Sequence, residues 1–233
     1  LSVYGEYSWG EIDILEKLFK AGDTVVEVGS NVGSHTIPLS QRLGPNGVLY
    51  AFEPQRLVFQ LLSANIALNQ CANVHSHWQG VGAESGSIRI AELSPHQFTN
   101  FGGIEAGVEQ GNDVPLTTID SLNLESCALI KADVEGMEVE VMQGAKETLK
   151  RCRPNLYLEA DRRDKLPQLL QLLFDADYKI YWHIPPLFNA DNAFDVKEDI
   201  FNIISINIIC LPKESTMSVQ GFLEVTSVND WPR

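Results

Sequence analysis

The chain has 233 residues, 44% of them hydrophobic, enough for one α/β domain with a sizeable core. Its 17 Lys and Arg against 31 Asp and Glu leave a formal charge of −14, which repels phosphate backbones and argues against a nucleic-acid partner. No apolar run is long enough to span a bilayer and no signal peptide opens the chain, so a cytoplasmic location is expected. The start at Leu1 rather than Met is expected of a trimmed chain or of one domain of something longer. Residues 11–20 carry Ile12, Leu15, Leu18 and Phe19 at helical spacing, and Gly22 closes the segment, so 1–22 should form an N-terminal helix and lid. Residues 24–28 predict a buried strand, followed by a glycine turn and a helix over 34–43. Strand two is expected over 48–52, ending at Glu53-Pro54, then a helix over 57–69 and a third strand from 74 to 78.

From 81 to 116 short alternating pieces separated by Gly, Ser and Pro predict a hairpin-like excursion. A helical turn over 118–122 leads to strand four at 128–133, a helix over 137–149 and strand five at 155–159. A helix over 165–176 and strand six at 178–183 follow. Residues 184–200, rich in Pro, Asn and Asp, are too long for a hairpin turn and should cap a site; 203–211 reads as a seventh strand, antiparallel to the sixth, and 213–233 as a tail. Strand–helix alternation predicts a single α/β domain over 1–233, a doubly wound, seven-stranded, mostly parallel sheet with an antiparallel edge hairpin. Cys71, Cys127, Cys152 and Cys210 form no C-x-x-C pair and read as free thiols.

The most informative stretch is Glu27-x-Gly29-x-Asn31-x-Gly33, with Thr36 at its exit. A buried β-branched strand ending in two glycines four apart turns sharply into a helix beneath a nucleotide-like ligand. The dinucleotide fingerprint orders three glycines as G-x-G-x-x-G so that a pyrophosphate can meet the helix N-terminus. Here the third glycine is missing and Glu27 precedes the first, which disfavours a pyrophosphate and suits a ligand with a cationic amino acid end. S-adenosylmethionine has no phosphate and carries an ammonium and a sulfonium. Glu53, ending strand two, would then accept the ribose hydroxyls.

A family resemblance rests on several blocks in order: Gly5-Glu6-Tyr7-Ser8, the turn itself, Phe52-Glu53-Pro54, Asn100-Phe101-Gly102-Gly103, Ile130-Lys131-Ala132-Asp133-Val134-Glu135-Gly136-Met137-Glu138 and Val141-Met142-Gln143-Gly144-Ala145. Together, over residues 5–212, they closely resemble the FkbM family of S-adenosylmethionine-dependent methyltransferases, whose founding members methylate hydroxyls of polyketides and sugars. The strand-four block is the most specific of them; Trp9 is a departure, standing where a polar residue is expected. The resemblance implies a class I, Rossmann-like methyltransferase fold, with Glu27, Gly29, Asn31, Gly33, Thr36, Glu53 and Asp133 around the cofactor.

Methyl transfer to an alcohol needs the nucleophile aligned, water excluded and a proton removed. Asp133, at the end of strand four, is the first candidate base or substrate anchor; a cap on the following helix is the structural alternative. Lys131 shares its face by strand alternation and Glu135 lies just beyond. Asp133, Glu135 and Glu159 at neighbouring strand tips could also hold a Mg²⁺-type ion, though no spacing demands it and no metal ligand is assigned. His183 ends strand six beside the cap loop and is a second candidate base, a packing histidine being the plainer alternative. His35 is expected to pack near the cofactor, and His75, His77 and His96 lack the spacing of a zinc site. Tyr7, Trp9, Asn100 and Phe101 could close over the acceptor. The leading function is O-methylation of a hydroxyl on a sugar, polyketide or other small molecule or glycan; N- or carboxyl-methylation, or a non-catalytic adenosyl-binding module, are the alternatives.

Overall fold

The computed structural model describes residues 1–91, 111–217 and 219–232. In chain order it forms α1 (Trp9–Leu15), β1 (Thr24–Val28), α2 (Thr36–Leu43), β2 (Val48–Phe52), α3 (Arg56–Leu68), β3 (Val74–His77), β4 (Gly80–Val81), β5 (Gly86–Ile90) and β6 (Asn112–Thr117). A 3₁₀ turn (Asp120–Leu122) leads to β7 (Leu129–Ala132), α4 (Glu138–Gln143), α5 (Lys146–Cys152) and β8 (Asn155–Glu159). The chain then forms α6 (Leu166–Asp175), β9 (Tyr178–His183), β10 (Asn207–Pro212) and β11 (Glu224–Val225).

The main sheet runs β11-β9-β10-β8-β7-β1-β2-β3. From β8 to β3 every pairing is parallel, and β10 lies antiparallel between β8 and β9. Strands buried on both faces need the apolar, β-branched content of Val25, Val26 and Val28. The chain leaves β1 toward β2 and returns on the other side as β7, so the strand order reverses between β1 and β7. The carboxyl ends of those two strands form the crevice where ligands of such sheets bind.

Four features depart from the sequence reading. The sheet has an eighth strand, because Glu224–Val225 of the tail adds to β9. The expected helix over 137–149 is two helices. The break falls at Gly144, where a Cβ would lie 2.0 Å from the Gly82 carbonyl oxygen. Asp120 caps the second helix by accepting the Thr148 N–H at 2.7 Å and the Glu147 N–H at 3.0 Å. The seventh strand begins at Asn207; Ile203 and Ile204, expected inside it, are exposed in the return of the cap loop. Among the described residues the excursion contributes to a separate three-stranded sheet, in which β5 and β6 pair antiparallel, as a hairpin would, and β4 joins β6 in parallel. All four cysteines are free thiols, and among the described residues no helix is long and apolar enough to cross a membrane.

Candidate functional site

The turn after β1 is held by its own backbone. Gly29 takes φ +79°, and a Cβ on it would lie 1.8 Å from the Asp133 carbonyl oxygen, so only glycine lets β1 and β7 close together there. Gly29 and Ser30 both donate to the Phe52 carbonyl at 3.0 Å, and Asp133 donates to that of Val28 at 3.1 Å. Asn31 sits at φ +49° and donates its N–H to Glu53 Oε2 at 2.9 Å, while Glu53 Oε1 accepts from Gln55 at 2.8 Å. Glu53 is 7% exposed. Burial, only partly offset by those hydrogen bonds, pushes its carboxyl up to about 7.

Beneath the turn lies a buried charge network. The register sets Glu27 opposite Lys131 on the neighbouring strand. The Lys131 ammonium is 4.0 Å from Glu27 and 3.5 Å from Asp133. Burial opposes its charge, but Asp133, Glu27, Glu11 and Glu159 outweigh burial and raise its pKa to about 12, so Lys131 is a cation at neutral pH. Glu27 accepts from Thr36 Oγ1 at 2.6 Å, and its other oxygen is buried with no hydrogen-bond partner among the described residues. Burial raises the Glu27 pKa despite Lys131.

These elements open into a cleft of about 340 Å³, lined by Gly29, Asn31, Glu53, Lys131, Asp133, Glu135 and Glu159 from the strand tips, with Tyr7, Glu11 and His35 from the N-terminal side. Glu11 accepts from Ser8 Oγ at 2.6 Å and lies 3.9 Å from His35 Nε2; burial raises its pKa. Burial, with repulsion from Asp133, Asp161, Glu135 and Glu138, pushes Glu159 up to about 10. Glu135, at φ +54°, accepts from Arg162 at 2.7 Å. Glu138 turns back to accept the N–H groups of Val134 and Gly136, so it, rather than Asp133, closes the loop before α4.

Of the residues singled out in the sequence, Gly29, Asn31, Glu53, Asp133, Glu135, Glu159 and Tyr7 meet in this cleft. Glu27, Thr36 and Gly33 lie behind its wall: the first two bond each other, and Gly33, at φ +92°, packs against Leu62. His183 lies outside the cleft, its Nδ1 is 2.8 Å from the Tyr157 hydroxyl, and burial lowers its pKa to about 4. Trp9 opens α1, is 50% exposed and does not line the cleft. Asn100, Phe101 and His96 lie outside the described residues. No group of three or more His, Cys, Asp or Glu among the described residues is arranged to hold a metal ion. Glu11, Gln55 and Asn207 were missed as lining residues. Glu11 did leave a signal, because it stands four residues before Leu15 on the inward stripe of α1, where an acid has no ordinary reason to be.

A family model described as the methyltransferase FkbM domain matches residues 27–180. The chain is 26% identical over 143 residues to Methyltransferase 1 of Beauveria bassiana, covering 52% of this chain and 57% of that protein. It is 26% identical over 148 residues to the hexuronic acid methyltransferase AglP of Haloferax volcanii, covering 60% and 58%. The chain thus spans little more than half the length of either relative. The crystal structure of methyltransferase FkbM from Methylobacillus flagellatus KT superposes with a TM-score of 0.54 at 15% identity, over 82% of this chain and 44% of that one, a likeness of fold.

Proposed function

The chain belongs to the FkbM methyltransferase family, and from that premise we propose that it transfers the methyl group of S-adenosylmethionine to a hydroxyl of a small molecule or glycan. The cleft fits that cofactor. Glu53 offers carboxylate oxygens to a ribose diol, the Gly29–Asn31 backbone leaves room for close approach, and no third glycine supports a pyrophosphate. When bound, S-adenosylmethionine supplies an electrophilic methyl on sulfur.

The observation that carries the reading is the union in one cleft of Glu53 with the Asp133–Lys131 pair. Asp133 is 39% exposed at its side chain, close enough to the cleft to accept a proton from a bound alcohol, and Lys131 keeps it company as a fixed cation. Glu27 and Thr36 act from behind, holding Lys131 and the turn in register. Tyr7 and Glu11 wall the cleft and limit water. The name of the Haloferax relative, a hexuronic acid methyltransferase, supports a sugar as acceptor class. The whole of 1–233 is proposed as one unit, with 1–22 and 184–200 as the flanks of the acceptor side and 213–233 adding to the sheet edge. Calorimetry with S-adenosylhomocysteine and with NAD tests the proposal: the first should bind and the second should not, and NAD binding alone would overturn it.

A further inference from the structure

The cap loop returns to the sheet on a fixed backbone, yet its outer side is apolar. Leu187 donates to the Ile203 carbonyl at 2.9 Å and Ser205 to that of Pro185 at 3.0 Å, a short antiparallel pairing centred on Pro186 and Ile204. Tyr4, 2% exposed, holds the turn before it: its hydroxyl accepts the Ile200 N–H at 2.8 Å, and its ring meets Phe201 edge-on. On this anchored backbone Ile200, Phe201, Ile203 and Ile204 stand between 48% and 59% exposed. Exposed apolar side chains scattered singly are ordinary, but a run of them held in place marks a contact surface.

The surface continues the cleft. Asn207 opens β10 and Ser205 lies two residues before it, and both line the cleft. Ile206 between them packs against the core, so side chains alternate through this stretch. Ile203 is therefore the next side chain on the cleft's face, one step beyond the residues that line it. An acceptor seated in the cleft would lead any apolar group it carries out over Ile203. Charge favours that occupant over two others. The chain carries −14 overall, and Asp195, Glu198 and Asp199 precede the patch against Lys197 alone, which disfavours both a second copy of this chain and an anionic lipid surface. An uncharged hydrocarbon meets no such opposition.

We propose that residues 200–204 form an acceptor subsite for an uncharged hydrocarbon group attached to the sugar, which leaves the cleft over Ile203; this rests on the methyltransferase reading above. The subsite touches neither the reacting hydroxyl nor the cofactor, so it selects among acceptors through the part of the molecule that does not react. Its contribution comes from removing apolar surface from water and scales with the length of the group.

The test loads the protein with S-adenosylhomocysteine and titrates methyl, butyl and hexyl glucoside by saturation-transfer NMR. Full burial of a methylene is worth about fourfold in affinity and a face open on one side about twofold, so hexyl glucoside should bind about thirtyfold more tightly than methyl glucoside. Saturation should reach the terminal methyl of the hexyl chain. Ile203→Ser should remove most of the gain and the chain saturation while still binding S-adenosylhomocysteine, which shows the variant folded; Ile203→Leu should keep both. Leu61→Ser, which removes an exposed leucine of α3 outside the cleft, should leave the gain intact and so separates the subsite from general adhesion. Equal affinity across the three glucosides, silence of all three, or a gain that Ile203→Ser leaves intact overturns the inference. So does a dimer, or adhesion to phosphatidylcholine vesicles, that Ile203→Ser abolishes while the three glucosides bind alike. Failure of S-adenosylhomocysteine itself to bind overturns instead the reading on which the inference rests.

Discussion

Glu53 should release a proton when the cofactor product binds. Its two oxygens accept backbone N–H groups at 2.9 and 2.8 Å, yet burial holds its carboxyl up to about 7. Ribose hydroxyls donate, and donation favours the ionised form, so binding expels whatever proton is present. A group titrating near 7 is about nine-tenths protonated at pH 6 and about one-tenth at pH 8, so S-adenosylhomocysteine should release close to one proton per site at pH 6 and almost none at pH 8. Below pH 7 its affinity should fall about tenfold per pH unit, about 1.4 kcal/mol. Calorimetry in two buffers of different ionisation enthalpy reads the release directly. Glu53→Gln should abolish it and weaken binding at pH 8 by about 1–3 kcal/mol.

The same shift works against the ligand-free fold. A carboxyl raised from 4.5 to about 7 on folding gives stability that is fully present below pH 4.5 and lost as pH rises through 7. At about 1.4 kcal/mol per unit, the loss by pH 8 approaches about 3 kcal/mol. Glu53→Gln should therefore unfold at higher urea than wild type at pH 8, and not at pH 4, while binding cofactor product less well. Equal calorimetric enthalpies in the two buffers at pH 6, or a release untouched by Glu53→Gln, would refute the assignment of the ribose to this carboxylate.

Four further outcomes test the network around it. Asp133→Asn should cut methyl transfer by about a hundredfold or more while S-adenosylhomocysteine affinity stays within a few-fold, measured by labelled turnover and calorimetry. Lys131→Met strips Glu27 of its buried counter-charge and should cost about 3–5 kcal/mol in urea unfolding; a loss under about 1 kcal/mol would show the pair to be dispensable. Gly29→Ala puts a Cβ 1.8 Å from the Asp133 carbonyl at φ +79° and should abolish product binding along with a clear drop in melting temperature. His183→Gln should leave turnover within about twofold and cost about 1–3 kcal/mol of stability through the lost Tyr157 bond, since the ring lies outside the cleft.

The parts of the site legible in the sequence are those that belong to one strand end. The Gly29 turn, Glu53 and Asp133 each follow an apolar run by a fixed offset, and a parallel sheet carries all such ends to one edge. Contacts that depend on which strands become neighbours were not legible. Glu27 reads as a cofactor residue because its charge precedes the glycine; that it also stands opposite Lys131 is decided by the register of β1 and β7. Asn207 was invisible because β10 threads between β8 and β9, which puts it against both Glu159 and His183. The split of the helix at Gly144 required knowing that Gly82 passes beside it.

Lys131 connects these two kinds of residue. Its strand alternation with Asp133 is local, while its pairing with Glu27 depends on topology, and one ammonium serves both. The Gly29 turn and the Asp133 carboxylate are thereby fixed to a common point 2% exposed at its side chain. A charge introduced near Asp133 competes for that ammonium and is felt by Glu27, at the base of the cofactor turn. The form of the Gly29 turn and the placement of Asp133 are then consequences of the same buried cation.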